Sequence, residues 1–223
     1  MSSRTHVLSD LPLPCLAAVP DSQGALPLLV FLHGYAEAAP TPPGDALRRH
    51  GPLSSTSAAP DDFIVLAPQL REAGDRWRFH AADVVQAIEH VEARWHVDPD
   101  RRYLTGFSFG ANGVFDVAQE TPPMWAALWP VDPTRIPEHD PSIPIWLTSG
   151  QISRLLEEPL RAKLGLQRNI DAQRVIADYG LDHVATATQA YADDATYEWL
   201  LRQQRETATR PRPSEPASPY SRP

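Results

Sequence analysis

The chain has 223 residues, of which 42% are apolar and 22% are charged. This length and composition suit one domain with a continuous core and argue against a wholly disordered protein. The formal net charge of -8 argues against a phosphate-binding surface, because proteins that bind nucleic acids concentrate basic charge on one face. We therefore expect no nucleic-acid partner.

The first part of the chain carries no sign of export or of membrane insertion. Cys15 is the only cysteine, so no internal disulfide and no thiolate metal site can form. Asp10, Pro12 and Pro14 interrupt the mildly apolar start, unlike the core of a signal peptide. The longest apolar run, Leu26–Leu32, is far shorter than the roughly 18 residues that suggest a membrane span. These features predict a cytoplasmic protein without membrane contact.

Short apolar runs bounded by turn residues recur along the chain and are typical of buried strands. In chain order they occupy residues 28–32, 63–67, 103–107, 125–131, 143–148 and 175–178. Helical spacing of apolar residues predicts helices at 79–95, 111–119 and 185–205. Apolar strands that alternate with helices predict an α/β fold with a mostly parallel central sheet and helices on both faces.

A G-x-S-x-G motif, residues 106–110, lies between the predicted strand 103–107 and the helix that follows it. This strand–turn–helix context is the one that a nucleophile elbow requires. The turn is so tight that a side chain at Gly106 or Gly110 would collide with neighbouring backbone, while the strain lifts the serine hydroxyl into the cleft. The motif therefore predicts Ser108 as a nucleophile.

A serine hydroxyl attacks poorly until a neighbouring base takes its proton, so the chain needs an imidazole within hydrogen-bond reach of Ser108. His183 follows the predicted strand 175–178 and comes after the serine in chain order, as the base does in hydrolases with this motif. We predict His183 as the base.

Four segments resemble the esterase, predicted-peptidase and dienelactone-hydrolase-like branch of the α/β-hydrolases. They are LVFLHGYAE, DFIVLAPQ, VDPDRRYLTGFSFGANG and DHVATATQAYADDATYEWLL, and the resemblance extends over residues 28–203. His183, Tyr191 and Trp199 match the family's catalytic histidine, tyrosine-containing loop and terminal tryptophan helix. The resemblance implies an α/β-hydrolase fold and serine-esterase chemistry.

The segment after the first predicted strand resembles the family's HG motif, whose following loop supplies an N–H group to the oxyanion hole. The resemblance implies that the backbone N–H groups of Tyr35 and Phe109 stabilise the charge of the tetrahedral intermediate, with a contribution of about 3 kcal/mol each. His33 is expected to hold this loop rather than to react. Ala36 departs from the glycine that relatives often carry, which leaves the loop less free to aim its N–H group.

The third member of the triad departs from the family pattern. Relatives carry H-G-x-x-D after the strand that corresponds to 143–148, whereas here Ser153 stands at the position of the acid. Three alternatives are open: Asp132 supplies the carboxylate from the preceding strand end, Glu157 or Glu158 reaches back from the following helix, or no acid exists. Removing the charge of the acid from a Ser-His-Asp triad lowers turnover by about 10⁴.

The sequence thus predicts hydrolysis of a carboxylic ester or related acyl bond of a small molecule through an acyl-Ser108 intermediate. The alternative is a catalytically weak or inactive hydrolase-fold protein with a degenerate triad that binds a ligand or partner. The chain has no P-loop, no H-E-x-x-H and no cysteine cluster, so no cofactor and no metal are implied. The short connection 131–143 predicts that the lid domain of many relatives is absent. The oligomeric state does not follow from the sequence.

Residues 206–223 contain five prolines and no apolar periodicity. Such a segment buries too little apolar surface to offset the entropy lost on ordering. We expect a hydrolase domain at 1–205 followed by a disordered tail at 206–223.

Overall fold

The computed structural model describes residues 3–59 and 61–205. The predicted tail lies outside the described residues, so its disorder stays a prediction. Among the described helices, none is long and apolar enough to cross a membrane.

In the described ranges, eight strands form one sheet. They are β1 (Ser3–Leu8), β2 (Cys15–Pro20), β3 (Leu26–Leu32), β4 (Ile64–Pro68), β5 (Val97–Phe107), β6 (Ala127–Val131), β7 (Ile145–Ser149) and β8 (Arg174–Asp178). Their order across the sheet is β1-β2-β4-β3-β5-β6-β7-β8. The pairs β1–β2 and β2–β4 are antiparallel and the five other pairs are parallel, so the predicted α/β class with a mostly parallel sheet is confirmed.

Helices cover both faces of the sheet. The α-helices are α1 (Pro43–Ala46), α2 (Ala81–Glu92), α3 (Phe109–Glu120), α4 (Glu157–Leu164), α5 (His183–Ala192) and α6 (Asp194–Leu201). Helices α2, α3 and α4 share one apolar cluster with alternate strand residues such as Val30 and Leu104. Helices α5 and α6 share a second cluster with the intervening residues, such as Phe31 and Tyr103. Strands buried on both faces explain the continuous apolar runs in the sequence.

Several element boundaries differ from the sequence-based prediction. Strands β1 and β2 were not predicted, because β1 is mostly exposed and polar and β2 is rich in alanine. The predicted helix 185–205 is two helices, since Asp193 leaves the helical conformation and its side chain accepts a hydrogen bond from the N–H of Ala195. The predicted helix 79–95 begins as a 3-10 turn, Trp77–His80, and α2 ends at Glu92.

The parallel strands bring the predicted site residues to one edge of the sheet. His33 follows β3, Ser108 follows β5 and Asp132 follows β6. Ser153 lies in the turn after β7, and His183 begins α5 after β8. Open α/β sheets bind their ligands outside the carboxyl ends of their strands, so this edge is where a site is expected.

Candidate active site

Ser108 lies in the sharp turn between β5 and α3 with backbone angles of φ 57° and ψ -113°. A non-glycine residue in this region is strained, and such strain is common at functional sites. A Cβ atom at Gly106 would come within 2.4 Å of the Gly110 carbonyl oxygen, and one at Gly110 within 1.8 Å of the Leu32 carbonyl oxygen. A side chain at either position would therefore collide with backbone, as the motif predicts. The two glycines permit the turn.

His183 lies against the serine. Its Nε2 atom is 2.9 Å from Ser108 Oγ, within reach of a hydrogen bond that the hydroxyl donates. The side chain of Asp182 caps α5 by accepting a hydrogen bond from the N–H of Ala185, which fixes the helix start that carries His183. The imidazole also packs against the ring of Phe107, with the ring centroids 4.5 Å apart.

Asp132 lies on the other side of the imidazole. Its Oδ2 atom is 2.6 Å from His183 Nδ1, and its side chain is fully buried. The residue has a φ of 45°, and its N–H donates to the carbonyl oxygen of Thr148 on the neighbouring strand. Of the acids considered from the sequence, Asp132 is the one that contacts His183.

Ser153, at the position where relatives carry the acid, hydrogen-bonds the Asp132 carboxylate. The Ser153 N–H and hydroxyl both donate to Asp132 Oδ1 at 2.7 Å. The N–H groups of Gly150 and Ile152 add longer contacts of 3.2 and 3.3 Å to the same carboxylate. The turn after β7 thus forms a cradle of donors around Asp132, a role that the sequence analysis did not assign to Ser153.

The cradle keeps Asp132 ionised despite its burial. Burial raises the pKa of this carboxyl, but the hydrogen bonds from His183, Ser153 and Ile152 outweigh it, so the pKa lies below its ordinary value. An ionised carboxylate at Nδ1 holds the proton there and leaves Nε2 free to accept the serine proton.

The remaining acid candidates do not reach the imidazole. Glu157 pairs with Arg168 at 2.6 Å, and Glu158 is an exposed residue of the first turn of α4. The interpretation of a degenerate triad rested on the absence of a carboxylate at His183. With Asp132 at 2.6 Å, the geometry gives it no support.

His33 holds the loop after β3. Its Nε2 accepts a hydrogen bond from the N–H of Leu70 at 2.9 Å, so its proton is on Nδ1, which lies 2.6 Å from the carbonyl oxygen of Gly34. Burial lowers the pKa of His33 and favours this neutral form. The ring of Tyr35 packs on that of Phe109 with the centroids 5.4 Å apart. The two residues predicted to supply the oxyanion donors are therefore neighbours beside Ser108.

No protein-family model matches the sequence, and no curated protein matches it. Solved structures do. The chain is similar to a thermostable esterase, with a TM-score of 0.66 and 22% identity over 91% of this chain and 63% of that one. It is similar to a fluorophosphonate-binding serine hydrolase from Staphylococcus aureus, with a TM-score of 0.67 and 13% identity over 89% of this chain and 99% of that one.

An S-formylglutathione hydrolase from Staphylococcus aureus is also similar, with a TM-score of 0.62 and 14% identity over 89% of this chain and 98% of that one. The chain has the α/β-hydrolase fold. In this α/β-hydrolase fold, residues 132–144 between β6 and β7 form neither a helix nor a strand.

A cavity of about 440 Å³ opens beside the elbow of the α/β-hydrolase fold. Its wall includes Phe109 and Asn112 of α3, residues 75–78 after β4, and residues 134–136 after β6. This volume is in the usual range for small-molecule sites, about 300–1,000 Å³. A larger groove of about 740 Å³ lies over α4, away from the turn that carries Ser108, whereas the smaller cavity is lined by Phe109, the residue after Ser108. The smaller cavity is therefore the candidate binding site.

Asn112 connects α3 to the loop that carries Asp132. Its Nδ2 donates to Thr134 Oγ1 at 2.6 Å, and the Thr134 N–H donates back to its Oδ1 at 3.0 Å. Arg135 and Asp116 form an ion pair between the same two segments. The sequence analysis missed these links because only the fold brings residues 112–116 beside 132–135.

Within residues 3–59 and 61–205, no group of three or more His, Cys, Asp or Glu side chains is arranged to hold a metal ion.

Proposed function

We propose that the chain is a serine hydrolase that cleaves a carboxylic ester or related acyl bond through an acyl-Ser108 intermediate. The observation that carries this proposal is the continuous hydrogen-bond chain from Ser108 Oγ through the His183 ring to Asp132, with contacts of 2.9 and 2.6 Å. Recognition of a triad depends on such geometry and on the role of each group, not on position in the sequence.

In the first half-reaction, Ser108 Oγ attacks the carbonyl carbon of the ester while His183 Nε2 takes the hydroxyl proton. Asp132 stabilises the resulting imidazolium through Nδ1 and remains ionised. The tetrahedral intermediate then collapses, the bond to the leaving alkoxide breaks, and His183 returns the proton to that oxygen. The products are a free alcohol and the acyl-Ser108 ester.

In the second half-reaction, water takes the place of the alcohol. His183 removes a proton from the water, which attacks the acyl carbon, and the proton passes to Ser108 Oγ as the acid leaves. In both halves the N–H groups of Tyr35 and Phe109 donate hydrogen bonds to the carbonyl oxygen, on which negative charge develops. Their dipoles are fixed before the reaction, so little reorganisation is needed in the transition state.

The proposed substrate is a small acyl ester that fits the cavity of about 440 Å³ beside Phe109. The similar structures include an esterase and an S-formylglutathione hydrolase, so both oxygen esters and thioesters belong to the proposed range. The alternative of a binding protein had its basis in the uncharged Ser153. Because Asp132 supplies a carboxylate at the imidazole, we do not propose that alternative.

The test is hydrolysis of p-nitrophenyl acetate and butyrate by the wild-type protein and by Ser108→Ala and His183→Ala. We expect saturable hydrolysis by the wild type and a fall in kcat of at least about 10⁴ in either variant. Ser22→Ala, at an exposed serine after β2, is the matched control and should keep full activity. A folded wild-type protein that cleaves neither ester, or a Ser108→Ala variant as active as the wild type, would contradict the proposal.

A further inference from the structure

Glu37 is a buried carboxylate next to the site with no part in the triad. It is 1% exposed and ends the 3-10 turn Tyr35–Glu37. Its Oε2 accepts a hydrogen bond from the N–H of Gly34 at 2.7 Å, and its Oε1 lies 2.9 Å from Nδ1 of His50. A buried carboxylate is costly unless donors satisfy it, so these contacts hold Glu37 in this conformation.

Of the two consecutive peptide groups before Tyr35, the first is held at both ends and the second at its carbonyl oxygen. In the first, the Gly34 N–H donates to Glu37, and the His33 carbonyl oxygen accepts from Trp77 Nε1 at 3.2 Å. In the second, the Gly34 carbonyl oxygen accepts from His33 Nδ1 at 2.6 Å. A peptide group is planar and trans, so fixing the Gly34 carbonyl points the Tyr35 N–H in the opposite direction. Side-chain hydrogen bonds therefore set the direction of the predicted oxyanion donor.

In the part of the chain that the structure describes, no residue accepts a hydrogen bond from the Tyr35 N–H. That N–H is available to a ligand, whereas the N–H before it is used by Glu37. Loss of Glu37 would leave the Gly34 N–H without its acceptor and release the first of the two peptide groups.

His50 connects Glu37 to the rest of the site. Its ring centroid lies 5.2 Å from that of Phe107, and the Phe107 ring packs in turn on His183. The Glu37–His50 pair thus lies behind the ring that supports the catalytic base. No other hydrogen bond to the Glu37 side chain is found among the described residues.

We propose that Glu37, held by His50, is a positioning residue that aims the Tyr35 N–H at the oxyanion. The inference rests on the proposed function, because it assigns the pair a role in stabilising the tetrahedral intermediate. A group that acts only on this intermediate changes kcat and leaves substrate binding unaltered.

The experiment compares Glu37→Ala and Glu37→Gln with the wild type in two assays: hydrolysis of p-nitrophenyl acetate, and inhibition by a trifluoromethyl ketone. The serine oxygen adds to the carbonyl carbon of the ketone, and the ketone oxygen becomes an oxyanion. The affinity of the ketone therefore reports directly on the hydrogen-bond donors to that oxyanion. We expect kcat of Glu37→Ala to fall about 10- to 100-fold, less than the 10²–10³ that loss of a whole donor costs. KM should stay within about twofold, and the ketone should bind more weakly by the same factor as kcat falls.

Glu37→Gln should restore most of the activity, since the amide oxygen of Gln can still accept from the Gly34 N–H. Glu92→Gln is the matched control, because Glu92 pairs with Arg102 at the end of α2 and touches none of these residues. It should behave as the wild type in both assays.

His50 provides a second pair of variants if Glu37→Ala does not fold. His50→Gln keeps a donor for Glu37, whereas His50→Phe keeps a ring against Phe107 and loses the donor. We expect His50→Phe to lose kcat and ketone affinity together and His50→Gln to keep both.

The outcomes separate the two proposals. If the wild type neither cleaves the ester nor binds the ketone, the proposed function fails and this inference fails with it. If the wild type does both and Glu37→Ala and His50→Phe match it in kcat and in ketone affinity, only this inference is overturned. The inference is also overturned if Glu37→Ala loses activity only through a higher KM and its affinity for the ketone is unchanged.

Discussion

At the scale of single residues, Asp132 decides what the site can do. It is fully buried, it contacts His183 Nδ1 at 2.6 Å, and it accepts two hydrogen bonds from Ser153. Its pKa is lowered, because the hydrogen bonds to the ionised form outweigh the effect of burial. A group with a depressed pKa in the folded state stabilises the fold above its unfolded pKa and loses that contribution as pH falls through the folded value. Asp132 therefore stabilises the fold above the ordinary carboxyl pKa, and this contribution is lost as pH falls through its lower folded pKa.

The first prediction concerns this carboxylate. We expect Asp132→Asn to lower kcat for p-nitrophenyl acetate by about 10³ to 10⁴, since the amide favours the wrong imidazole tautomer and cannot stabilise the imidazolium. Steady-state kinetics with circular dichroism of the same samples checks the effect. Asp98→Asn, which removes an ion pair with Arg101 at the start of β5, is the control and should keep activity. If Asp132→Asn kept the wild-type kcat, Asp132 would not be the acid of the triad.

The second prediction concerns Ser153→Asp, which places an acid at the position where the resemblance to the family implies one. The Ser153 hydroxyl is 2.7 Å from Asp132 Oδ1 and fully buried, so a second carboxylate would meet the first without water between them. We expect unfolding free energy to fall by about 3 kcal/mol or more, and kcat to fall as well. Urea denaturation and ester kinetics measure both. Higher activity in Ser153→Asp would mean that the acid role is vacant in the native chain.

The contact between Ser108 and His183 could be predicted from the sequence, because a local motif points to the serine and the chain order points to the histidine. The sequence could not choose among the acid candidates. That choice depends on the two loops after β6 and β7, which lie side by side only because these strands are neighbours in the sheet. The hydrogen bonds of Ser153 with Asp132 and of Glu37 with His50 are likewise contacts between separate segments, which no spacing rule contains.

At the scale of elements, the turn between β5 and α3 depends on close contact with the end of β3. We expect Gly110→Ala to lower unfolding free energy by at least about 3 kcal/mol, because its Cβ would lie 1.8 Å from the Leu32 carbonyl oxygen. Gly44→Ala in α1 is the matched control, since nothing lies within 4 Å of a Cβ there. It should leave stability unchanged or raise it by about 0.5–1 kcal/mol. Chemical denaturation of both variants tests this, and equal stability of the two would be inconsistent with the tight turn.

The 3-10 turn Trp77–His80, which supports the loop after β3 through Trp77, is tied to α2 by His80. Its Nε2 lies 2.7 Å from Asp75 Oδ2 and its Nδ1 lies 2.8 Å from Asp83 Oδ2. Burial lowers the pKa of His80, but the hydrogen bonds to Asp83 and Asp75 raise it further, and the net shift is upward. The stabilisation is thus complete below the unfolded pKa of about 6.5 and is lost as pH rises through the folded pKa.

We therefore expect His80→Gln to cost about 1 kcal/mol at pH 5.5 and less at pH 9. Urea denaturation at the two pH values measures the difference. Gln86→Ala, on the exposed side of α2, contains no titrating group and should give the same change at both. A cost of His80→Gln that is equal at the two pH values would show that these two contacts contribute nothing as ion pairs.

The elements that the sequence predicts well are those buried on both faces. Parallel strands such as β3 and β7 appear as short apolar runs, because each of their side chains meets a helix or a neighbouring layer. The exposed edge strand β1 has no such apolar run. It is a strand because it pairs with β2 along its whole length, and its composition does not indicate that pairing. The break between α5 and α6 occurs where Asp193 caps the start of α6. The apolar spacing continues across this cap, so the spacing alone predicts one helix.

At the scale of the whole molecule, the sheet assembles the candidate site from distant parts of the chain. Ser108, Asp132 and His183 are 24 to 75 residues apart in sequence and meet at the carboxyl ends of parallel strands. Asp132 follows β6, which is adjacent to β5, the strand that leads to Ser108. Hydrogen bonds between Asn112 and Thr134 link the helix after Ser108 to the loop after Asp132.

The central claim is that Ser108 is a nucleophile activated by His183 and Asp132. Its most direct test is intact-mass spectrometry with peptide mapping after reaction with a fluorophosphonate. The account predicts that the wild type gains the mass of one phosphonyl group on the peptide containing Ser108, that Asp132→Asn reacts far more slowly, and that Ser108→Ala gains no mass. A folded wild-type protein that stays unlabelled, or a label on any residue other than Ser108, would contradict it.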